Sequence, residues 1–162
     1  MLYIFTVLSF CWFAPSAYAQ KAKKLETAAL SVQYPDGWTA DSTRLNINGT
    51  VRLAPVNNTA GTLGSEVVIE FRPMEKNLDA MIKDAESSVK NGGEMLKGRV
   101  STLQLDGAPA YKTVMQLGPL YTITTQVVSK NKLCRITCFT TAEQPEELQK
   151  DFDLIVNSIR FK

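Results

Sequence analysis

The sequence contains no histidine. Without it there is no imidazole base to activate a serine or cysteine nucleophile, and no nitrogen ligand of the kind zinc and copper favour. Cysteine is scarce, at three residues, and tryptophan scarcer, at two. Neither sign of charge prevails: 18 Lys and Arg against 16 Asp and Glu leave a net charge of +2. That balance falls short of the concentrated basic face that nucleic acid binding uses. Long apolar runs are missing as well, except at the very start of the chain.

There, Met1 to Pro15 is almost wholly apolar, yet shorter than the roughly 20 residues of a membrane span. Ser16-Ala17-Tyr18-Ala19-Gln20 follows, and Ala17 with Ala19 makes the small-x-small pattern of a signal peptidase site. Residues 1–19 therefore read as a secretory signal peptide, although no Lys or Arg precedes the apolar run. Cys11 follows Phe10, where a lipoprotein signal carries a small residue, so no lipid anchor is expected. All charged residues lie beyond this segment. Residues 20–27, with Lys21, Lys23 and Lys24, read as a short flexible leader, and 28–162 as a single domain. The expected location is the bacterial periplasm, after transport across the inner membrane and with no stable membrane insertion once the signal is cut.

The other two cysteines stand in Leu133-Cys134-Arg135-Ile136-Thr137-Cys138-Phe139, where alternation places Cys134, Ile136 and Cys138 on one face of a strand. Four residues along a strand span about 13 Å, whereas the α-carbons of a disulfide lie within about 7 Å. The two are expected to be unbridged, buried, small apolar side chains. No metal or other cofactor is expected.

Leu30, Val32 and Tyr34 alternate as a half-buried strand, which Tyr34-Pro35-Asp36-Gly37 ends as a turn, with Pro35 presetting one backbone angle. Trp38 leaves this turn. No basic or polar cluster surrounds it in sequence, so Tyr34, Pro35, Gly37 and Trp38 read as structural, with the indole buried and its N–H reaching a carbonyl at the edge of the core. Thr50 to Pro55 and Ser65 to Arg72 form the next strand pair, joined by a loop through Asn57-Asn58-Thr59. The period then changes. Leu78, Met81, Ile82, Ala85 and Val89 make a helical apolar stripe that stops at Asn91-Gly92-Gly93. A meander of four strands follows, Glu94 to Leu105, Ala110 to Leu117, Leu120 to Ser129 and Lys132 to Thr141, whose short connections require antiparallel neighbours. A second helix begins near Pro145 and carries Leu148, Phe152, Ile155 and Ile159 on one face. The sum is the α+β class, an antiparallel sheet of about six or seven strands flanked by two helices.

The strand leading into Tyr34-Pro35-Asp36-Gly37-Trp38, the helix after the first strands, the long meander and the closing Asn157-Ser158-Ile159-Arg160-Phe161 together resemble the PsbP-like and DcrB-like superfamily. The resemblance covers the whole of 28–162. It implies an α/β/α sandwich whose members act mostly as noncatalytic partners of other proteins. On that basis the chain is expected to be no enzyme but an exported binding or accessory module of the cell envelope, with an envelope protein as partner. Arg52, Arg72 and Arg99 are the candidate contacts, on an exposed sheet face or loop rim where guanidinium groups make charge-assisted bonds. The alternative is a carrier of a small ligand or lipid, with a cavity between sheet and helix lined by Leu78–Val89 and Cys134–Cys138. A carboxylate enzyme is disfavoured: Glu66 and Glu70 share a strand face at about 13 Å, beyond the roughly 6.5 to 9.5 Å of an inverting glycosidase pair. Asp79 and Asp84 are the other carboxylates in question.

Overall fold

A computed structural model describes residues 21–57, 64–92, 96–129, 131–141, 143 and 145–162. The signal peptide read over 1–19 lies outside these, as do Asn58 and Thr59 of the loop. The strands in chain order are β1 (Ala22–Glu26), β2 (Leu30–Pro35), β3 (Trp38–Asp41), β4 (Thr50–Pro55), β5 (Glu66–Pro73), β6 (Leu96–Leu105), β7 (Ala108–Leu117), β8 (Leu120–Ser129), β9 (Lys132–Thr141) and β10 (Arg160–Phe161). The helices are α1 (Leu45–Asn48), α2 (Leu78–Asn91) and α3 (Pro145–Ser158).

Seven strands form one antiparallel sheet in the order β3-β4-β5-β9-β8-β7-β6. The meander is as the turns required. Asp106 and Gly107 both take positive φ, 51° and 76°, which suits the two-residue hairpin between β6 and β7 because its twist matches that of the strands. On one face of this sheet Val51, Leu53, Val67, Ile69, Cys134, Ile136, Cys138, Ile123 and Val127 are buried. α3 lies over that face and adds Phe152 and Ile155, with Ile159 just beyond its end.

The remaining three strands form a second, smaller sheet in the order β1-β2-β10. This corrects the flexible leader expected over 20–27. Residues 22–26 run antiparallel to β2, from Ala22 opposite Pro35 to Glu26 opposite Ser31, and Leu25 sits opposite Val32 and packs on the core. β1 is an edge strand whose lysines stay in solvent, the usual protection of a sheet edge. That is why it reads as a solvated tail. β2 supplies Leu30 and Val32, both fully buried, to the same core as α3.

α2 lies on the opposite face, over β6 and β7. It starts cleanly, with the Asn77 side chain accepting from the Ala80 N–H at 2.8 Å, a good N-cap. Gly98 lets it approach. A Cβ there would stand 3.0 Å from the Val114 carbonyl oxygen and 3.1 Å from the nearest Val89 methyl.

Candidate functional site

Trp38 opens β3 at the corner where the chain leaves the small sheet for the large one. The residue is 3% exposed, and its ring meets Phe152 of α3 edge-on, centroids 6.2 Å apart at 82°, a favoured aromatic geometry. The indole Nε1–H donates to Asp151 Oδ2 at 3.0 Å. The expected carbonyl partner is thus replaced by a helix carboxylate. Tyr34 packs against the same core and Pro35 is buried. Gly37 is less constrained: its φ is not positive, and a Cβ would meet nothing within 4 Å.

Cys134 and Cys138 are free thiols buried in the core. Burial pushes each of them up to about 12; at Cys138 the nearby Lys112 pulls slightly down and Asp153 slightly up. A thiol held protonated in an apolar site is a poor nucleophile and a poor metal ligand. The cavity that the alternative carrier reading places between Leu78–Val89 and Cys134–Cys138 does not form, because α2 and the two cysteines lie on opposite faces of the sheet. Among the described residues no group of three acidic or cysteine side chains is placed to hold a metal ion.

The candidate arginines divide. Arg52 and Arg72 share the α2 face of the sheet, where Arg52 pairs with Glu66 at 3.6 Å and Arg72 with Glu70 at 3.0 Å. Arg99 sits on edge strand β6 opposite Val114, on the other face. The carboxylates considered for catalysis are thereby accounted for in part: Glu66 and Glu70 are ion-paired with arginine, and Asp84 with Lys76.

The α2 face holds a feature that sequence reading missed. Tyr111, Gln126, Arg135 and Glu70 stand directly opposite one another on β7, β8, β9 and β5, a polar row crossing the sheet. A second row, Thr113, Thr124 and Thr137, runs beside it. The buried Nε of Arg135 has no hydrogen-bond partner, an unmet donor of the sort that is costly in isolation. Burial also raises the Tyr111 phenol above its ordinary range. Two recesses of about 390 and 450 Å³ flank α2 here, and Ala85, Ser88, Gln126 and Arg135 line both. The signal for this face lay in alternation: each buried residue of β9 has a polar neighbour facing the other way.

A larger cleft, about 750 Å³, lies at the end of the core where the two sheets meet. Leu45 of α1, Phe71 at the end of β5, Cys134 and Phe161 of β10 form its apolar wall, and Arg72, Lys132 and Lys162 its charged rim.

Solved structures share this architecture. PsbP (CyanoP) from Synechocystis sp. PCC 6803 superposes with a TM-score of 0.56 at 12% identity, covering 91% of this chain and 96% of that one. The chain has the PsbP-like fold. LpqN of Mycobacterium tuberculosis, described as involved in cell envelope biogenesis, superposes with a TM-score of 0.62 at 10% identity, covering 88% and 91%. A Mog1 variant gives 0.57 at 9% identity over 86% and 95%. No protein-family model matches the chain, and no curated protein matches it in sequence. Identities this low speak for the PsbP-like fold and for nothing finer. Among the described residues no helix is long and apolar enough to cross a membrane.

Proposed function

We propose that the protein is an exported, noncatalytic module of the bacterial cell envelope, working in the periplasm through contact with another envelope protein. The observation that carries this reading is the α2 face of the large sheet. It combines ion-paired arginines that a partner carboxylate can recruit, an unmet buried guanidinium donor at Arg135, and recesses on both sides of a helix. Interfaces of non-obligate complexes are mixed in just this way, with arginine enriched and polar contacts satisfied on binding. The buried, protonated thiols and the arginine-paired glutamates favour recognition over chemistry. Export rests on the signal features of residues 1–19, and an envelope role agrees with the description of LpqN.

The test is site-specific photocrosslinking in cells. A photoreactive residue is placed at Thr137 on the α2 face and, as control, at Arg99 on the other. The expected result is capture of one envelope protein from Thr137 alone, lost when Arg52→Glu and Arg72→Glu are added. Equal capture from both faces, or capture indifferent to the arginines, would exclude this surface.

A further inference from the structure

The cleft between the two sheets shares Arg72 and Pro73 with a recess beside α2 and otherwise has its own lining and chemistry. Its wall is apolar and its mouth is cationic, with Arg72, Lys132 and Lys162 on the rim and no Asp or Glu among the residues that line it. At about 750 Å³ it falls within the range of small-molecule sites, roughly 300 to 1,000 Å³.

Its walls are tied down by hydrogen bonds. Gly49, at φ 71°, ends α1 by donating to the Leu45 carbonyl at 3.0 Å, and its own carbonyl accepts from the Phe71 N–H at 2.9 Å. A Cβ at Gly49 would stand 2.7 Å from the Phe71 carbonyl oxygen, so only glycine allows α1 and β5 to meet there. On the other side Thr27 Oγ1 accepts from the Ala29 and Leu30 N–H groups at 3.2 and 3.0 Å, and the Lys162 N–H donates to the Ala29 carbonyl at 3.0 Å.

The charges set the head group. Arg72 already faces Glu70, and Lys162 shares Glu26 with Lys24, standing 3.6 Å from it. Among the described residues Lys132 has no ion-pair partner. Lys132 is therefore the rim cation left to meet a head group, and the single negative charge of a carboxylate suffices to pair it. We propose that this cleft binds a long-chain carboxylate, a fatty acid or a ligand built like one, with its chain against Leu45, Phe71 and Phe161 and its carboxylate at Lys132. Arg72 belongs to both surfaces, so Arg52→Glu, which lies outside the cleft, is the variant that separates the crosslinking test from this one.

Isothermal titration calorimetry with sodium dodecanoate, below its micelle concentration, tests it on the purified protein. One equivalent is expected to bind. Affinity is expected to fall at least tenfold in a Lys132→Glu variant, at least tenfold for dodecyl maltoside, which keeps the chain and loses the charge, and beyond detection for acetate, which keeps the charge and loses the chain. Leu45→Trp, which fills the cleft, is expected to abolish binding; if that variant does not fold, the exposed Lys132→Glu carries the test alone. The proposal is overturned if dodecanoate shows no saturable binding, if the neutral amphiphile binds equally well, if Lys132→Glu leaves affinity unchanged, or if dodecyl phosphate binds tenfold more tightly than dodecanoate.

Discussion

α2 and α3 are both 14 residues long and both amphipathic, yet the sheet between them treats them differently. α3 sinks Phe152 and Ile155 into the core, 1% and 0% exposed. α2 buries none of its side chains completely; Met81, Ile82, Ala85 and Val89 are all half-covered. The cause lies in the strands beneath. Under α3 the sheet presents valine, isoleucine and cysteine, and the small sheet closes the far side. Under and beside α2 it presents Tyr111, Thr113, Thr124, Gln126 and Arg135, which half-bury a helix without sealing it. An apolar stripe thus reports that a helix packs, while the strand face opposite decides how deeply.

The sharpest way to break the contrast is to remove the aromatic pair on the α3 side. Trp38→Ala or Phe152→Ala is expected to cost about 3 to 5 kcal/mol, read as a lower urea midpoint, and either value should far exceed that of Ile82→Ala on α2. Trp38→Ala with unchanged stability would remove the indole from the core. Next in size, Gly98→Ala drives a methyl against the Val114 carbonyl and Val89 and is expected to cost about 1 to 3 kcal/mol by overpacking. Hydrogen exchange should then quicken in α2 while α3 stays protected. Uniform loss of protection would mean that the helices are not independently held.

Asn77→Ala removes the α2 N-cap bond to the Ala80 N–H and is expected to cost about 1 kcal/mol, seen as fraying of the first turn of α2 by amide exchange. The last effect is confined to alkaline pH and is absent at neutral pH. Because burial raises Cys134 and Cys138 from an ordinary 9.0 to about 12, the unfolded chain loses these protons first as pH rises. Stability on the α3 side should be unaffected below pH 9 and decline between about pH 9 and 12. Cys138→Ala is expected to be less stable at pH 7 but to show a shallower alkaline decline, measured by urea titration at each pH.

The comparison also explains what could be read from the amino acids. The meander was legible because Asp106-Gly107, Gly118-Pro119 and Lys130-Asn131 punctuate strands of equal length and steady alternation. The burial of Trp38 was legible because an indole after a turn, with no polar cluster beside it, has few other uses. Its partner was not, since Asp151 lies on α3, far along the chain. β1 was missed because four of its five residues face solvent and only Leu25 turns inward. The polar rows beneath α2 and the cleft at the sheet junction were hidden for a common reason. Each is assembled from single residues on several strands, brought into line by register that no local pattern carries.

The small sheet has a consequence for how the chain folds. Its central strand β2 is flanked by β1, which it follows directly, and by β10, where Arg160 meets Ser31 and Phe161 meets Leu30. A polypeptide emerging from a ribosome or a translocation pore delivers β2 early and its second neighbour only after α3. Until then Leu30 and Val32 have neither that strand nor α3 to cover them, and closing so long a loop is among the slower steps in folding. The ladder that completes the small sheet thus joins segments from the two ends of the described chain, and it seals the first residues of the core.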